Sequence, residues 1–187
     1  MSLSLLSLIN CYPVIEIVME NKVVTPKITP NLWFDINAEE AVHFYLTIFK
    51  NSKINAITRY DDAGFEFHRM PSGTIMTIDF ELDGQAFVAL NGGPMFSFTE
   101  AVSFIVNCDT QEEIDYYWDA LKVGGDEKAQ ICGWLKDKFG VSWQIIPNML
   151  TEVLRKGNNK HTSSMMNAMM QMKKLEISKL QEAYSHE

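Results

Sequence analysis

The feature that most constrains this fold is a repetition along the chain. In the stretch AEEAVHFYLTIF, Ala41, Phe44, Tyr45 and Ile48 recur at i, i+3, i+4 and i+7, which is one buried face of a helix. Shifting by 73 positions sets Glu39-Glu40 on Glu112-Glu113, Ala41 on Ile114, Phe44 and Tyr45 on Tyr117 and Trp118, and Ile48 on Leu121. A second helix with the same buried face follows, within QEEIDYYWDALKVGG. Asn37 with Glu40, and Thr110 with Glu113, read as capping boxes at the two helix starts. A strand-like run precedes each helix, ITPNLWF and AVSFIVN. Runs rich in β-branched and aromatic residues follow: KINAITRY, TIMTIDFEL and QAFVALN in the first half, QICGWLKD and VSWQIIP in the second. Toward the ends of the halves the offset becomes 56, placing Gly84 on Gly140, Phe87 on Trp143 and Leu90 on Ile146. Element order and core positions agree together, so the chain is expected to be α+β, built from two tandem strand-helix-strands units.

With 187 residues, 47% hydrophobic and 21% charged, the chain can bury a sizeable core and lies outside the composition of disordered chains. The expected organisation is an N-terminal extension at 1–26, a two-unit domain at 27–148 with units at about 27–93 and 98–148, and a helical tail at 149–187. Residues 1–18 read either as a start-site extension ahead of Met19 or as an added strand. A net charge of −8 leaves no cationic field to neutralise phosphates, so neither nucleic acid nor a membrane is expected as a partner. Three cysteines, Cys11, Cys108 and Cys132, are odd in number and widely spaced, which points to a reducing cytoplasm. An acidic body favours a cationic over an anionic ligand. The tail reverses the sign and carries Met165, Met166, Met169, Met170 and Met172 in one helical stretch running on to Leu180. That stretch could pack on the chain's own sheet, in a dimer contact, or in a partner groove.

The run NLWFDINAEEAVHFYLTIF and its weaker second copy resemble the vicinal oxygen chelate superfamily, the fold of glyoxalase I, bleomycin resistance proteins and extradiol dioxygenases. More narrowly, WFDINAEEAVHFY, FVALNGG, TQEEIDYYWDAL, GWLKDKFGVSWQIIPN and AMMQMKKLEISKLQEAY are similar to the PhnB-like family, which also carries the label 3-demethylubiquinone-9 3-methyltransferase. The resemblance covers about residues 27 to 184 and implies two tandem βαβββ units followed by a C-terminal helix. It also implies where a superfamily metal would sit: Ile28 or Thr29 with Val88 in the first unit, and Val102 or Ser103 with Gln144 in the second. Only Gln144 keeps a credible oxygen donor among these, so the usual metal site is not expected. The methyltransferase label finds no Rossmann-type cradle, since NGGP and VGGD are turns and no G-x-G-x-x-G joins a strand to a helix. The homodimer expected here follows partly from the superfamily, whose pockets are commonly built across subunits, and partly from strand edges that need cover.

Alternation along TIMTIDFEL separates Met76, Ile78, Phe80 and Leu82, expected beneath the helices, from Ile75, Thr77, Asp79 and Glu81 on the concave side. Two carboxylates beside Thr77 could hold a cation or act as a general base, or could simply lie on a wetted sheet face. Trp143 is expected in the core by analogy with Phe87, whereas Trp134 is either core or a stacking wall. His68, in the loop GFEFHRMPSG, is the histidine candidate, as part of a lid. The ligand-binding candidates are therefore Thr77, Asp79, Glu81, Ser103, Trp134, Gln144 and His68; no catalytic residue is assigned and no cofactor is expected. The leading reading is a small-molecule pocket protein without the superfamily metal, either a binder or an enzyme of unknown substrate. The alternatives are a metalloenzyme using Asp79, Glu81 and Gln144, the methyltransferase activity of the label, and an interaction protein whose concavity is filled.

Overall fold

A computed structural model describes residues 26–157 and 159–185 of the chain; the N-terminal run with Cys11, and His186, lie outside the described residues. The first unit comprises β1 (Asn31–Phe34), α1 (Ala38–Ile48), β2 (Lys53–Arg59), the single turn α2 (Phe65–His68), β3 (Ile75–Leu82) and β4 (Gln85–Asn91). Because α1 carries the chain across the sheet, β1 lies parallel to β4, with Asn31 opposite Val88 and Phe34 opposite Asn91. The remaining strands form an antiparallel meander, giving the order β1-β4-β3-β2. Asp83 and Gly84 turn the β3–β4 hairpin, both with positive φ (47° and 80°), the backbone that a two-residue type I′ turn demands.

The second unit repeats this plan with β5 (Phe104–Cys108), α3 (Gln111–Leu121), β6 (Trp134–Lys136) and β7 (Ser142–Pro147), in the order β5-β7-β6. Again the first strand is parallel to the last, Phe104 opposite Trp143. The aligned positions behave alike: Ala41 and Ile114, Tyr45 and Trp118, Ile48 and Leu121, and Phe87 and Trp143 are all buried. Among the described residues this sheet has three strands where the first has four. The connection from α3 to β6 begins with Gly124-Gly125 and coils through a 3-10 turn at Glu127–Ala129, leaving no extended run to pair as a fourth strand.

Two local expectations need correction. Thr110 does cap α3, its Oγ1 accepting the Glu113 amide at 3.2 Å, while the Glu113 carboxylate takes the Asp109 amide at 2.7 Å. Asn37 makes no side-chain cap on α1. Its role passes to Asn91 on β4, whose Oδ1 accepts the Ala38 amide at 2.9 Å and whose Nδ2 donates to the Ile75 carbonyl at 3.0 Å. Alternation on β3 holds for Ile78, Phe80 and Leu82 but inverts at the start, where Ile75 is buried and Met76 half-buried, beside a register shift between Ile57 and Arg59 on β2.

The two units meet through their helix-bearing faces. Phe34 packs edge-on to Phe139, Phe49 tilts against Trp143, and Phe87 meets Phe104, with ring centroids 5.2 to 6.3 Å apart. At the centre is Asp137, in the β6–β7 turn and 3% exposed. Its Oδ1 accepts the amides of Phe139 (2.8 Å) and Val141 (3.0 Å), and its Oδ2 accepts Tyr45 Oη–H from the first unit (2.8 Å) and Trp143 Nε1–H (2.9 Å).

The tail is three helices rather than one: α4 (Asn148–Arg155), α5 (Lys160–Met169) and α6 (Ile177–Ser185). The expected continuous Met-rich helix breaks after α5 because the backbone there is used elsewhere. The Cys132 and Gly133 amides donate to the carbonyls of Met172 and Lys173, both at 2.8 Å. Cys132 is therefore not in a strand as expected but in a loop, with φ at 53°. Gln111 of α3 pins the same segment, donating to the Leu175 carbonyl at 3.1 Å and accepting the Ile177 amide at 2.8 Å. Leu150, Val153, Met165, Leu175 and Leu180 form a second small core, so the Met-rich stretch packs on its own chain.

Replacing Asp137 by Asn keeps the volume but turns one acceptor oxygen into an N–H donor facing the Tyr45 and Trp143 donors. The expected cost is about 3 kcal/mol, read by urea unfolding. Burial pushes the Asp137 carboxyl above the ordinary carboxylate value, with Trp143, Tyr45 and the two amides offsetting part of the shift. A raised native value adds stability that is present below the ordinary carboxylate range and is lost as pH rises through the raised one. The stability gap between wild type and D137N should accordingly narrow as pH rises above the ordinary carboxylate value of about 4, and a gap independent of pH would refute the raised value.

Candidate functional site

Since the helix-bearing faces meet in the shared core, the other face of each sheet is turned away from it. On the first sheet that face carries Thr77, Asp79 and Glu81, all half-buried. Their neighbours are those of a wetted face: Thr77 Oγ1 is 2.6 Å from Thr58 Oγ1, Glu81 accepts from Asn55 Nδ2 at 2.9 Å, and Lys53 Nζ stands 3.6 Å from the same carboxylate. Asp79 lies between Ala56 and Val88 in the register.

On the second sheet the outward face carries Ile105, Asn107, Trp134, Gln144 and Ile146. Register sets Ile105 and Trp134 on either side of Gln144, forming a row across three strands. Gln144 Nε2 donates to Ser103 Oγ at 2.8 Å, so these two candidates do come together. Trp143 is core, 3% exposed, whereas Trp134 is half-buried on the outer face. Beside this row stand α4 and α5, and between sheet and helices lies a cavity of about 680 Å³. Its walls are apolar, from Ile105, Ile146, Leu154, Met166 and Met169, with Trp134 as the aromatic surface and Gln144, Asn107, Thr151 and Arg155 as polar groups. A cavity of this size, largely apolar with a few placed polar groups, is what a small organic molecule requires.

Several candidates do not join this site. Asp79 and Glu81 belong to the first sheet and Gln144 to the second, with the shared core between them, so the three do not converge within one chain. Among the described residues no group of three or more His, Cys, Asp or Glu side chains could hold a metal ion. His68 ends α2, its ring 4.5 Å from Tyr60. Its Nδ1 accepts the Met70 amide at 3.0 Å, which makes Nε2 the protonated nitrogen, facing the Ala63 carbonyl at 3.2 Å. Both nitrogens are thus occupied in shaping their own loop. Cys108 is buried at the end of β5, and burial with nearby Glu113 and Asp109 pushes its thiol up to about 12, which keeps it un-ionised and inert. Cys132 lines the cavity, its Sγ 3.5 Å from Met170 Sδ.

Sequence reasoning missed Asp137, Asn91 and Arg155. A signal existed for the first, because Asp137 opens the turn DKFG and a turn-opening Asp accepts downstream amides. Arg155 and Asn91 acquire their roles only through tertiary placement.

Among the described residues no helix is long and apolar enough to cross a membrane. Among curated proteins, none matches the chain. The family described as 3-demethylubiquinone-9 3-methyltransferase matches residues 26–146. Of solved structures, a PhnB protein from Bacillus cereus bearing that same methyltransferase description is 37% identical; the match covers 65% of this chain and 99% of that one, with a TM-score of 0.57. Protein PA1353 from Pseudomonas aeruginosa is 22% identical, with 66% and 98% covered and a TM-score of 0.50. Helices α4 to α6 begin at Asn148, beyond the residues matched to the family. Two units with parallel first and last strands, helices on one face and a match over 26–146 make this chain a member of the 3-demethylubiquinone-9 3-methyltransferase (PhnB-like) family, with the fold of the vicinal oxygen chelate superfamily.

Proposed function

We propose that this chain is a small-molecule pocket protein of the PhnB-like branch, either a binder or an enzyme, working in a reducing cytoplasm without the usual superfamily metal. In this reading residues 27–148 are the pocket-bearing domain and 149–187 a helical tail. The observation that supports it is the cavity of about 680 Å³ over the Trp134–Gln144–Ile105 row. That concavity is open, which favours a ligand-binding role over an interaction protein with a filled one. Trp134 supplies a stacking surface and Gln144, steadied by Ser103, a directed polar group. The methyltransferase activity named by the family description has no separate support here, since neither glycine turn forms a nucleotide cradle.

The same reading includes a homodimer. Ile105 on the second sheet and Val102 just before it, with Phe67, Met95 and Phe96 beside the first, are exposed apolar residues, and strands β1 and β5 each leave one edge unpaired. A second copy laid against these faces would also bring Thr77 and Asp79 opposite a partner's pocket, which a single chain does not do.

Two measurements test this. Elemental analysis of protein purified without added metal is expected to show no stoichiometric transition metal, and a thermal-shift screen of small organic molecules should return stabilisers whose effect Trp134→Ala removes. A stoichiometric, chelator-resistant metal would transfer the case to the metalloenzyme reading. Light scattering is expected to give a dimer at micromolar concentration. Deleting residues 160–187 removes Met165, Leu175 and Leu180 from the second core, bares Leu150 and Val153, and should produce aggregation and a weaker dimer. A monomeric intact chain would sink the dimer, and a truncated chain that stays fully dimeric would show that the tail adds nothing to the contact between the β units.

A further inference from the structure

The charge of the cavity is opposite to the charge of the protein. The chain as a whole is acidic, at −8, yet among the described residues no Asp or Glu lines the cavity, and the charged residue at its edge is the exposed Arg155. Two other cations of the tail are matched, Lys174 at 2.7 Å from Asp115 and Lys179 at 2.6 Å from Glu176, while Lys156, Lys160 and Lys173 do not line the cavity. Arg155 takes part in no salt bridge among the described residues. Charges beyond about 8 to 10 Å are largely screened at physiological salt, so the charge that lines the cavity, and not the net charge of the whole chain, decides which ligand charge is favoured. A guanidinium suits a carboxylate because it offers two parallel N–H donors, and that match outweighs a point charge of the same sign.

The rest of the cavity describes the body to which such an anion would be attached. Trp134 presents a flat ring, and Met166, Met169 and Met170 bring flexible, polarizable thioethers that pack well against aromatic edges. These methionines belong to the tail, which lies outside the residues 26–146 matched to the family model, so this half of the wall is built by a part of the chain separate from the two units. We propose that the cavity takes an aromatic monocarboxylate, its ring between Trp134 and the methionines and its carboxylate on Arg155. The inference rests on the pocket reading above and replaces the cationic preference expected from net charge.

Arg155 also sits in the last turn of α4, where a cation complements the helix dipole, so stability alone cannot test its role. Ligand charge can. We would measure binding by isothermal titration calorimetry with three probes of one shape: 2-naphthoic acid, 2-naphthylmethanol and 2-naphthylmethylamine. The acid is expected to bind about tenfold tighter than the alcohol, with the amine weakest, and raised salt should weaken the acid alone. Arg155→Met, which keeps an apolar stem at an exposed site, should bring the acid down to the level of the alcohol, and Arg155→Lys should restore part of the difference. An alcohol that binds as tightly as the acid, or an acid unaffected by R155M, overturns the anion assignment and leaves the pocket standing. Failure of all three probes to bind overturns the pocket reading and this inference with it.

Discussion

The fold turns on one carboxylate. Asp137 is sealed from water and each of its oxygens accepts two hydrogen bonds, so its lone pairs are fully used. Two of the donors fix the β6–β7 turn, the third is the core Trp143, and the fourth is Tyr45 on the helix of the other unit. A charge in this position is tolerable only with such a complete set of partners. It therefore sets the orientation of one unit against the other as well as a local turn. Around it the rings of Tyr45, Phe44, Phe139 and Trp143 close at 5.4 to 6.0 Å, with Lys138 Nζ over Phe44 and Phe139 at the outer edge.

This arrangement determines where chemistry can occur. With the helix-bearing faces locked together, the polar faces look outward on opposite sides, and the carboxylates of the first sheet cannot reach the Gln144 of the second. A site made from both sheets thus needs two chains, while a site made by one chain must draw its second wall from elsewhere. The tail supplies that wall. Helix α4 follows directly from β7, and the helices after it fold back over the outer face of the second sheet, where Gln111, Cys132 and Gly133 hold them.

What could be read from the sequence was what repeats at a fixed spacing. Ala41, Tyr45 and Ile48 with Ile114, Trp118 and Leu121 betrayed both helices and their buried faces, because helical periodicity is a local property of the chain. The Thr110 cap was legible for the same reason. Asn37 looked the same in sequence, yet Asn91, 53 residues away from the helix start, took its place, and no local pattern carries that information. The break in the Met-rich stretch was hidden too, since residues 170–176 have ordinary helical composition and leave the helix to bond with Cys132, Gly133 and Gln111. At the candidate site, Trp134 could be named from strand alternation, and Gln144 and Ser103 from the slots that the family resemblance implies. The charge at the pocket was beyond it, because net charge averages over a surface and Arg155 reaches the cavity only through the path of the tail.

The fastening of residues 172–177 has a bearing on how the protein is made. The polar groups that hold the segment among the described residues, Gln111, Asp115, Cys132 and Gly133, belong to the second unit, and the cavity draws on that unit and the tail. Both units can acquire their sheets while the tail is still inside the ribosome, domains folding as they emerge. The cavity cannot, because Met166, Met169 and Met170 emerge after both units and α6 must follow to bury Met165 and Leu180. A chain that has emerged only as far as β7 would therefore have both sheets but leave the outer face of the second one open, and occupancy of the pocket would report that α4 to α6 had followed.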